Sequence, residues 1–368
     1  MTPRSLRVLR TMTLALTLAA AGPVLAAPRY TITELPASQP GAASAGLRLN
    51  RDGTVLGRDG DRTVLFKSGG VVDLTPLAGP GGSVGAINDA GHLAGARVNG
   101  SGETRVFLNT PGGTTNFGSL GDPGETATDL NNNDVIAGTL TLRSGARRAA
   151  YWNAGGIYDL GVLPDDLSSE AVGINDAGQI AGNSGIHGFI WKAGSGMTDI
   201  GALGGPGAAT VVQGINNAGW LAGFSELTPH GRVSGFVYDG LVMKPIGDIG
   251  QLFPSLNSFA RAINAGGAVV GESQRDDGIF SAFVYREGAT FELQSLIDPV
   301  LGWDLRTARD INDRGQITGF GFVNGRQSAY LLTPIETSGA VPEPGVWALM
   351  ILGFGAAGAS LRRRRLAA

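Results

Sequence analysis

The chain has 368 residues, 60 of them glycine, no cysteine, and 31 acidic against 28 basic side chains. Seven of the basic residues are arginines near the two ends, so the body between them is more acidic than the net charge of −3 implies. This balance does not favour binding of nucleic acid or anionic polymers through plain charge, and the missing cysteines exclude disulfide stapling and thiolate chemistry.

Residues 1–26 read as a secretory signal peptide. "MTPRSLRVLR" carries Arg4, Arg7 and Arg10 and no acid, and the apolar run "TMTLALTLAAAGPVLA" follows. Val24 and Ala26 take the small-residue places of a cleavage between Ala26 and Ala27. The run is shorter than the roughly 20 residues of a spanning helix, which argues against a retained anchor.

The body, residues 27–337, is long enough for two average domains or one large all-β domain. It opens on a short alternating segment, "RYTITELP". A phrase then recurs seven times: "LNRDGTVLG", "INDAGHLAG", "LNNNDVIAG", "INDAGQIAG", "INNAGWLAG", "INAGGAVVG" and "INDRGQITG". Its asparagines are Asn50, Asn88, Asn131, Asn175, Asn216, Asn264 and Asn312, at spacings of 38, 43, 44, 41, 48 and 48 residues. Each repeat reads as four short strands, a to d, separated by Gly- and Asn-rich turns. Strand a ends in Ile-Asn or Leu-Asn, strand b carries the last glycine, strand c is aromatic ("HGFIWKAG", "SGFVYDG"), and strand d reads like "MTDIGAL".

Four strands in about 43 residues is the size of a β-propeller blade, so the sequence predicts seven blades. The seventh repeat ends after strand c, "SAYLLTP", while "RYTITELP" matches strand d and precedes the first strand a. The N-terminal strand can therefore complete the last blade, close the ring and remove its open edges. A right-handed β-solenoid is the alternative; it explains the period but not the split repeat.

The Asn-x-x-Gly phrase could be a cation site or a tight turn. The glycine at its fifth place (Gly53, Gly91, Gly178, Gly219, Gly267, Gly315) is replaced once, by Asp134. Both residue types tolerate positive φ. The place after asparagine holds Arg51, Asp89, Asn132, Asp176, Asn217, Ala265 or Asp313, and a metal site would not accept Arg or Ala there. The turn is thus the expected reading, with the asparagine side chain capping its own backbone two residues on. On that basis Asn175→Ala should cost about 1 kcal/mol. The last glycine (Gly57, Gly95, Gly138, Gly182, Gly223, Gly271, Gly319) and the small residue four before each asparagine indicate close backbone packing near the ring centre. Strand d carries a polar place, Glu34, Asp73, Asn116, Asp159, Asp199, Asp248 and Glu292. On the outermost strand these would lie far apart on the rim and serve as turn anchors.

Catalytic constellations are scarce. The three histidines are His92, His187 and His230; the acidic loops "RDGD" and "SQRDDG" lack EF-hand spacing; and "GGPGG" opens no helix that could cradle phosphate. Asp165-Asp166 and Asp276-Asp277 could serve a glycosidase, but a chain with 31 acids shows such pairs by chance. No cofactor and no metal site is expected. The loops between strands b and c differ most between repeats, and binding residues tend to sit on such loops of a rigid scaffold. Arg143, Arg147, Arg148, His230, Arg232 and Arg275 are the candidates there.

The C-terminal segment has three parts: a linker, 338–345, holding Pro342, Glu343 and Pro344; an apolar stretch, 346–361, with Trp347; and a basic tail, 362–368, with Arg362, Arg363, Arg364 and Arg365. Sixteen helical residues span about 24 Å, and snorkelling arginines cover the shortfall against a bilayer. The arginines place the C-terminus on the cytoplasmic side. A permanent tail anchor is the alternative to a processed one.

This order of motif, helix and arginine cluster resembles the PEP-CTERM sorting signal of Gram-negative bacteria, in its variant with Trp347-Ala348 after Pro342-Glu343-Pro344. The resemblance covers about 28 residues. It implies recognition of those three residues by an exosortase, removal of the helix, and delivery to the cell surface, often together with exopolysaccharide. The repeats over residues 29–334 resemble the HAF family of extracellular repeats, named for His-Ala-Phe in strand c; His187-Gly188-Phe189 is the nearest copy, with Gly in place of Ala. That resemblance implies fold and export rather than an activity.

The expected function is that of an exported, non-enzymatic cell-surface or matrix interaction protein, linked to exopolysaccharide or biofilm. Its partners would be an exosortase and either exopolysaccharide or surface proteins. It would be held transiently at the inner membrane, bind no nucleic acid and be a monomer. The alternative is a secreted propeller enzyme acting on glycans, a hydrolase or lyase, which would need acids and an arginine clustered at the mouth of the central channel.

Overall fold

Short apolar-alternating segments with glycine-rich turns every eight to twelve residues can bury one sheet only against another, and here they do so around a ring. The computed structural model describes residues 29–335 apart from 40, 69, 119–121 and 248–256. The described strands form seven four-stranded antiparallel sheets, a seven-bladed β-propeller rather than a solenoid. The inner strands are Ser44–Leu49, Ser83–Ile87, Asp122–Leu130, Ser169–Ile174, Thr210–Ile215, Ser258–Ile263 and Trp303–Ile311. Blades 1 to 6 follow chain order from inner to outer strand. In blade 7 the outer strand is Tyr30–Leu35, paired antiparallel to Arg326–Pro334 with Ile32 opposite Leu332. The N-terminal strand therefore closes the ring as its sequence indicates.

One irregularity repeats in all seven blades. Pairing between inner strand and second strand skips one residue three places before the asparagine: Leu47, Gly85, Thr128, Val172, Gln213, Arg261 and Arg309. This is a β-bulge, which bends a strand and re-aims its side chains. The strictly recurring glycine sits just beyond it. A Cβ on Gly182 would strike the carbonyl oxygen of Glu170 and lie 2.6 Å from the Phe189 ring. Each of the other six meets a backbone carbonyl of its own inner strand in the same way. The small residue four before the asparagine is its pairing partner, as in Ala171 opposite Gly182.

The core is distributed between neighbouring blades rather than gathered at the centre. Phe107, Trp152, Phe189, Phe236, Phe283 and Tyr330 are fully buried in successive seams. Trp152, for example, packs with Ile136 and Leu140 of its own blade and Ala86 and Val106 of the one before. The segment read as a signal peptide, residues 1–26, the Pro342–Pro344 motif and the apolar stretch 346–361 lie outside the described residues. Among the described residues no helix is long and apolar enough to cross a membrane.

Candidate functional site

The asparagine turns meet at one mouth of the axial channel. Gly178 has φ 74° and Asp134, the lone replacement, φ 61°, so the place does demand left-handed backbone. Each turn asparagine is buried. In Asn175, Oδ1 accepts the N–H of Gln179 at 2.9 Å; in Asn50 it accepts those of Asp52 and Thr54 at 3.1 and 2.9 Å. The amide end has a second task. Nδ2 of every turn asparagine donates to the carbonyl of the next one: Asn50 to Asn88, then Asn131, Asn175, Asn216, Asn264, Asn312 and back to Asn50, at 2.9–3.5 Å. Seven side chains thus form a closed hydrogen-bonded ring that ties every blade to its neighbour.

A second, broken ring lies outside it. The N–H of Arg51 donates to Asp89 Oδ1, Asp89 to Asn132, Asn132 to Asp176, Asp176 to Asn217, and Ala265 to Asp313, at 2.8–3.0 Å. The two interruptions fall where the acceptor would be Ala265 or Arg51. The residue after asparagine is therefore a joint between blades, which tolerates being missed twice. Asp89, Asp176 and Asp313 line the mouth with Asn132 and Asn217 around a cavity of about 160 Å³. Among the described residues no group of three or more His, Cys, Asp or Glu side chains could hold a metal ion.

Behind the mouth, the bulges bring Arg48, Asp129, Arg261 and Asp310 to a second cavity of about 160 Å³. Asp310 accepts the Leu49 N–H at 2.7 Å and Asp129 the Ile174 N–H at 2.8 Å, each from the following blade. Burial pushes the Asp310 carboxyl up to about 6, with Asp129 adding to the rise, against the pull of Arg48 and of the Leu49 and Ile311 N–H groups. Burial raises Asp129 as well, opposed by Arg48. Burial lowers the Arg309 guanidinium, against Glu272. Acids and an arginine do cluster in the channel, the arrangement that a propeller enzyme would require. Both carboxylates, however, are occupied by backbone donors.

On the opposite face, the b–c loops hold the sequence candidates. Arg147 is 3.4 Å from Glu170, Arg148 donates to the Leu167 carbonyl at 2.7 Å, and Arg275 is 3.3 Å from Asp277. The His230 N–H donates to Glu226 at 3.0 Å. These residues belong to blades 3, 5 and 6, and the structure does not bring them, with Arg143 and Arg232, around one cavity. Sequence reading passed over a different set on this face: Phe224, Phe259, Phe280, Phe320 and Phe322, half-buried over blades 5 to 7. Arg261 lies over the Phe259 ring at 5.5 Å and Arg306 over Phe322 at 5.3 Å. The signal was available, since phenylalanines accumulate in the last three repeats, but periodicity cannot tell such a ring from core.

The rim acids are anchors. Asp73, Asp159 and Asp199 each accept an N–H two residues on, Glu34 binds Arg326 and Ser328, and Glu292 binds Ser281. Asp248 lies outside the described residues. Of the paired carboxylates, Asp166 is held by His187 at 3.2 Å. In "RDGD", Asp59 is buried and binds Ser38 and Arg62.

Fold and C-terminal segment define the class of protein, a seven-bladed propeller followed by a sorting segment: the PEP-CTERM protein-sorting motif matches residues 340–365. That match lies in the tail and does not reach the repeats. No curated protein matches the chain. Among solved structures the chain is similar to an oligogalacturonate lyase in complex with manganese, at 13% identity over 84% of this chain and 97% of that one, with a TM-score of 0.50. It is also similar to the β-propeller domain of the Trilobed protease from Pyrococcus furiosus (7% identity, 83% and 95% covered, TM-score 0.49) and to streptogramin B lyase (14%, 83% and 98%, TM-score 0.45). At such identities the likeness is one of fold.

Proposed function

We propose that the protein is an exported, non-enzymatic interaction protein of the cell surface or extracellular matrix, a HAF-type repeat propeller released from the inner membrane by exosortase processing and associated with exopolysaccharide. The observation that carries this reading is the sorting motif at residues 340–365, joined to a ring whose recurring polar positions hold blades together. The signal peptide, residues 1–26, would bring the propeller across the membrane, and Arg362–Arg365 would stop the tail. Arg143, Arg147, Arg148, His230, Arg232 and Arg275 would add polar contacts on the loop face.

The test is sorting. Replacing Pro342, Glu343 and Pro344 by alanine should leave an unprocessed, membrane-held form, larger on a gel by about the mass of the tail, and empty the surface fraction. Identical fractionation of mutant and wild type would refute it. A second reading, a glycan hydrolase or lyase, is favoured by the channel cluster of Arg48, Asp129 and Asp310. It predicts polysaccharide cleavage that Asp129→Asn and Asp310→Asn abolish.

A further inference from the structure

The loop face is asymmetric at the eighth position after the turn asparagine. Blade 4 has Asn183 there, bonded to both sides of the Val212 backbone in the next blade, at 2.8 and 3.3 Å. Blade 6 has Glu272, 4% exposed. Its Oε1 accepts from Arg261, at 2.8 Å from Nε and also from Nη2, while Oε2 has no hydrogen-bond partner. Across the seam in blade 7, Arg306 Nε and Thr307 Oγ1 are likewise buried without a partner. Buried polar atoms left unpaired are few in a folded protein and costly. Here three of them belong to side chains that line one cavity of about 330 Å³, completed by Ile279 and the rings of Phe280, Phe320 and Phe322.

A ligand for this cavity must donate to a carboxylate oxygen, accept from a guanidinium N–H, exchange a hydrogen bond with a hydroxyl, and lay an apolar face on phenylalanine. A sugar ring does all four, with hydroxyls on its edge and C–H bonds on its face. The wall has one acid, Glu272, and one base, Arg306, which is itself paired with Asp304 at 2.6 Å. A charged ligand of either sign would meet its like. The volume lies at the lower end of small-molecule sites, suited to one or two sugar units of a longer chain that leaves along the loop face.

We propose that the seam between blades 6 and 7 binds a neutral saccharide, its C–H face packed on Phe280 and Phe322 and its hydroxyls bonded to Glu272 Oε2, Thr307 Oγ1 and Arg306 Nε after these side chains turn out of their buried positions into the cavity. The site rests on the reading of the protein as a non-enzymatic surface protein and names its ligand class.

The test is titration calorimetry on the full chain in detergent, with cellotetraose, maltotetraose, mannotetraose, galactotetraose and tetragalacturonate as probes. At least one neutral tetrasaccharide should bind, and Phe322→Ala and Glu272→Gln should each weaken it tenfold or more. Thermal melts accompany both variants. If Glu272→Gln no longer folds because Arg261 loses its partner, Phe322→Ala, at the half-buried rim, decides alone. Absence of binding to all neutral probes, preference for tetragalacturonate, or unchanged affinity in Phe322→Ala would overturn the site while leaving export and sorting untouched. Release of new reducing or unsaturated ends would instead overturn the non-enzymatic reading and leave the binding site standing.

Discussion

At the scale of single residues, the turn asparagines are held by more than a local cap. Asn175→Ala removes the acceptor for the Gln179 N–H and the donor to the Asn216 carbonyl, and the second of these bonds is buried. With about 1–3 kcal/mol for the buried Asn216 carbonyl left unpaired added to about 1 kcal/mol for the lost cap, the loss should be about 2–4 kcal/mol. The local cap alone would give about 1 kcal/mol. Urea unfolding measures it, and a loss below 1 kcal/mol would show that the inter-blade bond contributes nothing. Gly182→Ala tests the close approach. Its Cβ has no room between the Glu170 carbonyl and Phe189, so overpacking should cost about 1–3 kcal/mol. Gly102→Ala, with open space but φ 79°, isolates backbone strain from crowding.

At the scale of elements, the blade joints contain a titratable acid. The folded-state pKa of Asp310 is raised above its ordinary value of 3.8 to about 6. Between those values the folded protein holds the proton more tightly than the unfolded chain, so stability falls as pH rises through the window. The melting temperature should therefore decline from about pH 4 to about pH 6. Asp310→Asn, which keeps an oxygen for the Leu49 N–H, should make that decline shallower, with Asp129, also raised by burial, supplying what remains. Acids with lowered values, such as half-buried Asp239 at about 2, act on the other side: their contribution is lost only as pH falls below 3.8. Scanning calorimetry across pH 3 to 7 separates the two, and a wild-type curve that is flat from 4 to 6 would contradict burial of an ionising Asp310.

At the scale of the molecule, closure depends on six residues that are remote in sequence from their partners. Deleting Tyr30–Leu35 would expose the edge of Arg326–Pro334 and remove Tyr30 and Ile32 from the core cluster that holds Leu332 and Tyr330. Unpaired edges invite association, so size-exclusion chromatography should show soluble oligomers or aggregates in place of one species. A monodisperse deletion variant with unchanged melting would mean that the ring is stable without its closing strand.

The number of blades, their four-strand content and the closing strand were legible because each depends on local pattern: period two within strands, glycine at turns, one phrase repeated. Gly53 and its equivalents, with Asp134 the exception, revealed their left-handed backbone for the same reason, since φ is a property of one residue. What tertiary structure alone decided is which faces meet. The Nδ2 ring joins residues 38 to 48 positions apart and finally Asn312 to Asn50, and no local pattern says that a turn points at its neighbour's carbonyl. The bulges that place Arg48, Asp129 and Asp310 together follow from curvature at the ring centre. The cavity at Glu272, Arg306 and Thr307 follows from the seam between two blades. Sequence determined the repeat; the closure of the ring determined which polar atoms were left over.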